Sequence, residues 1–118
     1  MTRLAVSGVR FNRDMREIIE SEDTIRTIIF PKTVRMVRQE AFFKNHELAS
    51  AVTNEGLEAI GTDEGNDDDA GAFEDSGLKR IKLSSTIKRI EYRAFKDCKD
   101  LRDITLPDGL THIGKKCF

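Results

Sequence analysis

The chain has 118 residues, of which 35% are charged and 38% are hydrophobic, and its formal net charge is −1 at pH 7. This length suits one domain with one modest core, and the charge balance gives no overall field that would attract nucleic acid or an anionic membrane. No apolar run approaches the roughly 20 residues of a membrane-spanning helix, and two cysteines are too few for a disulfide framework or a zinc site.

The N-terminal segment, residues 1–24, is predicted to be a cap made of a strand and a short helix. A repeat stack needs such a cap over the end of its core, and a helix that binds a partner is the alternative. The helix is predicted for residues 11–24, because apolar residues fall on one face at helical spacing. These residues are Phe11, Met15, Ile18 and Ile19.

The first residues do not form a signal peptide pattern, because their apolar stretch is short and is broken by Ser7, Gly8 and Arg10. If the N-terminus is native, we expect a cytoplasmic protein. If the chain is a fragment, a cell-surface or secreted location is expected instead.

A repeated apolar pattern begins at Ile25. The units that start at Ile25 and at Leu78 are each 23 residues long and are followed by Leu48 and Leu101. A unit starting at Leu101 follows the same spacing, and a unit starting at Leu48 is interrupted before Ala72 and Phe73, so residues 25–118 are predicted to form a solenoid of about four coils. The two clearest units share the positions Ile25, Ile28, Phe30, Val34, Val37, Ala41, Phe42 and Leu48, and Leu78, Ile81, Leu83, Ile87, Ile90, Ala94, Phe95 and Leu101.

The pattern predicts a mainly β fold in which each coil contributes two short extended segments. Pro31 and Pro107, at equivalent positions, end a strand and turn the chain. A coil cannot bury its apolar face alone, so neighbouring coils must stack to form the core. We therefore expect one aromatic column made of Phe42, Phe73, Phe95 and Phe118.

These units resemble the BspA-type leucine-rich repeat, whose pattern is roughly Leu-x-x-Ile-x-Leu-Pro, then Ile-x-x-Ile-Gly, then Ala-Phe-x-x-Cys. The resemblance covers residues 25–118 and implies an adhesion or interaction protein rather than an enzyme. The residues that match are Leu101, Ile104, Leu106, Pro107, Leu110, Ile113 and Gly114, together with Ala94, Phe95 and Cys98.

The leading hypothesis is a non-enzymatic module that binds a protein partner through the exposed side chains of its strands. No nucleophile or acid–base pair is suggested around His46 or His112, and no cofactor is expected. The predicted contact residues are Arg26, Thr27, Ile29, Ser50, Val52, Lys79, Arg80, Lys82, Arg102, Asp103 and Thr105.

Basic residues concentrate in the second half of the chain, since residues 76–118 contain eleven Lys and Arg against five Asp and Glu. Lys79, Arg80 and Lys82 lie together in this part. No aromatic side chains for base stacking are interleaved with them, because Tyr92 is the one tyrosine and tryptophan is absent. Nucleic-acid binding is therefore not favoured over an ordinary charged surface or a protein site.

An acidic stretch, residues 61–71 or "GTDEGNDDDAG", adds eight residues to one coil. Insertions in repeat proteins form surface loops. A solvated loop is favoured over a calcium site, because the EF-hand spacing fails in every register tried. The weaker alternative, a calcium-binding or calcium-stabilised module, uses oxygen ligands from Asp63, Glu64, Asp67, Asp68 and Asp69.

The last coil ends at Cys117 and Phe118 without a polar cap. An uncovered strand stack favours self-association, so a homodimer through this end is a further hypothesis. Cys98 and Cys117 lie in adjacent coils; free thiols are expected, and a disulfide between them is the alternative.

Overall fold

The computed structural model describes residues 8–61 and 70–118, which form ten short β-strands and contain no helix. Two sheets hold these strands, and all pairs except the first are parallel. The strands are β1 (Val9–Phe11), β2 (Glu17–Ser21), β3 (Thr27–Ile29), β4 (Met36–Val37), β5 (Ser50–Val52), β6 (Ala59–Ile60), β7 (Arg80–Lys82), β8 (Arg89–Ile90), β9 (Asp103–Ile104) and β10 (His112–Ile113).

One sheet, which we call the ladder sheet, has the order β3-β5-β7-β9. The other, called the second sheet, has the order β1-β2-β4-β6-β8-β10. From β3 onward the chain alternates between the two sheets. After each ladder strand it turns a corner into the second sheet, and it then returns to the ladder sheet one strand further along the stack. This parallel stacking is the arrangement expected of a leucine-rich repeat solenoid.

The core lies between the sheets and is filled by the apolar residues that the repeat predicts. Ile28, Ala51 and Ile81 are paired in register on successive ladder strands, and all three are buried. Their side chains point inward because side chains of neighbouring residues in a strand alternate between its two faces.

The predicted aromatic column is confirmed. Ring centroids are 4.8 Å apart between Phe42 and Phe73, 5.4 Å between Phe73 and Phe95, and 5.5 Å between Phe95 and Phe118. The rings are nearly parallel, with interplanar angles of 2° to 14°. Phe30 extends the column at 6.5 Å from Phe42, a contact that the repeat pattern did not predict because Phe30 occupies a different position in its coil.

The predicted helix at residues 11–24 is wrong, because this region lies in an antiparallel hairpin of β1 and β2. Asn12 organises the turn: its side-chain oxygen accepts hydrogen bonds from the backbone N–H groups of Arg16 (2.9 Å) and Glu17 (3.1 Å). Ile18 is fully buried where β2 pairs with β4. Strand pairing with the solenoid therefore outweighs the helical spacing of the apolar residues.

The hairpin makes the two sheets unequal at the N-terminal end. β2 pairs with β4, and β1 pairs with β2, so the second sheet continues two strands beyond β3. At about 4.8 Å per strand, this overhang measures roughly 10 Å. No helix long and apolar enough to cross a membrane is found in residues 8–61 and 70–118.

Two buried asparagines link adjacent coils and were not predicted from the sequence. Asn54 Nδ2 donates to the carbonyls of Val34 (2.8 Å) and Lys32 (3.2 Å). Asn45 Nδ2 donates to the Glu22 carbonyl at 3.0 Å. Each amide nitrogen thus donates to backbone carbonyls of a neighbouring turn, whereas the side-chain oxygens of both asparagines are buried without a hydrogen-bond partner among the described residues.

Candidate functional site

The ladder sheet brings the predicted contact residues into rows across its strands. The register aligns Thr27, Ser50, Arg80 and Asp103 in one row. A second row aligns Ile29, Val52 and Lys82. Each row lies on the face opposite the buried residues Ile28, Ala51 and Ile81, because side chains alternate along a strand.

Most of the predicted contact residues are exposed. Ser50 and Val52 are half-buried, and the other nine are exposed. Ile29, a large apolar side chain, has 69% of its surface exposed. The ladder face therefore combines an apolar position at its N-terminal edge with a basic centre around Arg80 and Lys82.

Most basic side chains of the ladder face have no ion-pair partner among the described residues. Lys79, Arg80, Lys82 and Arg102 make no ion pair with any residue in ranges 8–61 and 70–118. Arg26, at the edge, has a long contact of 3.7 Å with Glu47, and both side chains are well exposed. Four unpaired cations on one face form a surface that is electrostatically complementary to an acidic partner.

The second sheet differs because many of its charges pair within the chain. Glu91 has only 5% of its side chain exposed, and its carboxylate accepts from Arg89 Nε at 2.5 Å and lies 3.2 Å from His112 Nε2. The other ion pairs in or beside this sheet are Arg10–Glu20, Arg35–Glu58 and Arg38–Glu17.

The two histidines occupy different surroundings. His46 is exposed and lies 3.5 Å from Asp75. His112 is half-buried beside Glu91, a contact that the sequence did not indicate because the two residues are 21 positions apart. Neither histidine has a nucleophilic side chain among its described partners.

Both cysteines are free thiols. Cys117 Sγ donates to the Glu91 carbonyl at 2.9 Å, and Cys98 Sγ donates to the Phe73 carbonyl at 3.1 Å. Burial raises the pKa of both thiols above the ordinary value of 9.0. Both groups are therefore protonated, poorly nucleophilic thiols near neutral pH.

The candidate calcium ligands lie outside the described residues, as does most of the acidic stretch. Ala70, the first described residue after residues 62–69, has both of its backbone polar groups hydrogen-bonded to side chains. Gln39 Nε2 donates to the Ala70 carbonyl at 3.0 Å, and the Ala70 N–H donates to Glu40 at 3.0 Å. Among the described residues, no group of three His, Cys, Asp or Glu side chains is placed to hold a metal. The ligands outside them are Asp63, Glu64, Asp67, Asp68 and Asp69.

Two shallow grooves flank the ladder sheet. The first, of about 620 Å³, lies beside β9 and includes Arg102, Asp103 and Leu106. The second, of about 690 Å³, lies beside β3 and includes Gly8 and Ile29. Neither groove contains a set of catalytic side chains, but both adjoin the predicted contact residues.

Comparisons with known proteins agree with this architecture. Residues 67–118 match the family model described as a BspA type leucine rich repeat region. A search of the curated proteins finds no match.

Two solved structures are similar. One is the pneumococcal vaccine antigen PcpA, with 32% identity, a TM-score of 0.81, and coverage of 93% of this chain and 26% of that chain. The other is a leucine rich repeat protein from T. pallidum, with 24% identity, a TM-score of 0.71, and coverage of 90% and 50%. The chain thus spans at most half the length of these two proteins. Residues 67–118 thus match a BspA-type leucine-rich repeat region, which confirms the resemblance drawn from the repeats for this part of the chain.

Proposed function

We propose that this chain is a non-enzymatic protein-interaction module that binds its partner through the ladder face. Leucine-rich repeat modules generally mediate protein–protein interaction. The proposed contact surface is the set of eleven residues predicted from the repeat, of which seven lie on the four ladder strands and four flank them. Its basic centre favours a partner with an acidic patch, because opposite charges speed association and select the partner.

One observation carries this proposal. Lys79, Arg80, Lys82 and Arg102 have no ion-pair partner among the described residues, whereas the cations Arg35, Arg38 and Arg89 near the second sheet do. Exposed ion pairs add little to stability, so this difference has a small effect on folding. It leaves the ladder cations available for contacts with another molecule.

The test compares two variants with the same change in charge. In the first, Lys79, Arg80 and Lys82 are replaced by glutamate, and in the control Lys99, Lys115 and Lys116 are replaced by glutamate. All six side chains are exposed, so both variants should keep the melting temperature of the parent. Proteins captured from an extract of the source cells are quantified by mass spectrometry. A partner retained by the control and lost by the ladder variant supports the proposal; equal retention by both moves the binding surface elsewhere.

A location at the cell surface or in the secreted fraction is a second proposal, which concerns the protein that contains this chain. It is supported by 32% identity across 93% of the chain to a pneumococcal protein described as a vaccine antigen. Accessible antigens lie on or outside the cell. Labelling of intact source cells with an antibody raised against residues 70–118 tests it, and labelling only after permeabilisation contradicts it.

Self-association through the C-terminal coil is a third proposal. Ile113 and Phe118 are 47% and 60% exposed, whereas the equivalent Ile90 and Phe95 of the preceding coil are buried, and Leu106 is 39% exposed. A symmetric pair of chains covers these side chains. Light scattering at high micromolar concentration tests this dimer. We expect a dimer mass for the parent chain and a monomer mass for Phe118→Asp. A monomer mass for the parent chain contradicts the proposal.

A further inference from the structure

The N-terminal edge of the ladder sheet carries unpaired backbone groups. The Phe30 N–H donates to the Val52 carbonyl at 2.9 Å, and the Arg26 carbonyl accepts from Ala49 at 2.7 Å. Because peptide groups alternate between the two sides of a strand, the N–H and C=O groups of Thr27 and Ile29 point away from β5. No strand lies on that side among the described residues.

The three residues of this edge strand include neither a charge nor a proline. Natural edges are blunted by charged residues, proline or bulges. β3 consists of Thr27, Ile28 and Ile29, all β-branched and uncharged, and Ile29 is largely exposed. By contrast, β7 at the equivalent positions carries Arg80 and Lys82.

The hairpin sets the width of the space beside this edge. The second sheet overhangs β3 by two strands, roughly 10 Å. A further coil stacked on β3 needs a strand where β2 already lies, so neither another repeat nor the coil of a second copy fits. The groove beside β3, lined by Gly8, Glu22 and residues 24–32, has room for single extended chain segments.

Basic residues at the two ends of β3 indicate which kind of peptide suits the groove. The exposed Arg26 precedes the strand, and the exposed Lys32 follows it. Arg26 is engaged only by the long 3.7 Å contact with Glu47. Carboxylates at both ends of a short strand therefore suit this groove, with small or apolar side chains between them.

We propose that β3 is a strand-addition site that binds an extended peptide of a partner protein, acidic at its ends and small or apolar in between. The peptide becomes a fifth strand of the ladder sheet, hydrogen-bonded to Thr27 and Ile29. This inference rests on the proposed function and deepens it, since backbone pairing is added at the edge of the same face.

The first arm of the test measures amide hydrogen exchange by NMR in the chain alone. The N–H groups of Thr27 and Ile29 should exchange at least tenfold faster than that of Phe30, which is bonded to Val52. Slow exchange at Thr27 and Ile29 before any addition overturns the proposal, because the edge is then already covered in the chain alone.

The second arm adds a peptide that copies residues 48–54, the natural neighbour of β3, with glutamate as its first and last residue. Exchange at Thr27 and Ile29 should slow at least tenfold. A matched peptide with lysine at both ends should bind several-fold more weakly at low salt. No slowing, or equal binding of the two peptides, overturns the proposal.

Two variants test the backbone contact. Ile29→Pro removes an N–H that the sheet itself does not use, so the protein should fold and lose the peptide. Ile29→Lys introduces the residue that β7 carries at the equivalent position, and this variant should still bind the peptide. Unchanged peptide binding by Ile29→Pro overturns the proposal.

The result also separates this inference from the proposed function. Replacing Lys79, Arg80 and Lys82 by glutamate should abolish partner capture and leave peptide protection at Thr27 and Ile29 in place. If capture depends on those cations but the peptide does not bind, the strand-addition site is excluded and the ladder face remains the proposed surface.

Discussion

The two sheets of this small solenoid handle charge in opposite ways. Arg35, Arg38 and Arg89, in or beside the second sheet, pair with carboxylates of the same chain. On the ladder sheet, Arg80 and Lys82 have no such partner within the described ranges. Both sheets arise from the same repeat and share one core, so the difference comes from the exposed positions alone. The repeat determines the shape, and the residues between its apolar positions determine which face is available to a partner.

The largest expected effect tests the shared core on which this comparison depends. Phe73 is fully buried between Phe42 and Phe95. We expect Phe73→Ala to lower the free energy of unfolding by about 3–5 kcal/mol, because it removes buried apolar contacts and leaves a cavity. The exposed Phe118 is the matched control, and Phe118→Ala should cost less than about 1 kcal/mol. Equal losses in urea unfolding would mean that the column does not hold the coils together.

The next effect compares one carboxylate from each sheet. Glu91 is buried and bonded to Arg89, whereas Asp103 is exposed on the ladder face. Glu91→Ala should cost about 1–3 kcal/mol, since it removes a buried carboxylate that accepts a charged hydrogen bond from Arg89. Asp103→Ala should change stability by no more than about 0.5 kcal/mol. If Asp103→Ala proves as costly, the ladder charges are structural and the contrast between the sheets is lost.

A smaller effect concerns the two thiols, of which Cys117 is buried and Cys98 is partly buried. Burial raises the pKa of Cys98 and Cys117 in the folded state, so folding favours the protonated thiols. Their contribution to stability is complete below the ordinary thiol value of 9.0 and is lost as pH rises through the raised values. The free energy of unfolding should therefore decline above pH 9 in the parent and decline less in Cys98→Ala. Identical pH profiles would contradict the burial of this thiol.

The smallest expected effect concerns the acidic stretch, residues 61–71. Its spacing does not fit an EF-hand, so we expect the same melting temperature in excess calcium and in chelator. A native-state site at 100 times its Kd would instead add about 2.7 kcal/mol, or several degrees. A calcium-dependent rise in melting temperature that disappears when residues 62–69 are deleted would establish a metal-binding loop. This loop would then be a third charged region of the molecule beside the two sheets.

Much of the fold follows from the repeat. The spacing of Ile28, Ala51 and Ile81 predicts a common register, and Phe42, Phe73 and Phe95 predict the stacked column, because both depend on contacts between equivalent positions. The N-terminal hairpin departs from the repeat and was predicted wrongly as a helix. Two β-branched residues, Ile18 and Ile19, after the turn residues Asn12 and Asp14 are the signals that favoured a hairpin.

The charge contrast was only half predictable. The basic cluster at Lys79, Arg80 and Lys82 is visible in the sequence, but its lack of partners is not. The pairing of His112 with Glu91 joins adjacent coils, and no local pattern marks it. Buried Asn45 and Asn54 were missed for the same reason: their acceptors belong to neighbouring coils and are identified only when the stack is known.

The most direct test of the central claim is a hydrogen–deuterium exchange comparison of the chain alone and bound to the partner identified by capture. We expect slower exchange of the backbone amides in β3, β5, β7 and β9 and their flanking residues, and unchanged exchange in β4, β6 and β8. Slower exchange confined to β4, β6 and β8 would place the partner on the second sheet and contradict the assignment of the ladder face as the binding surface.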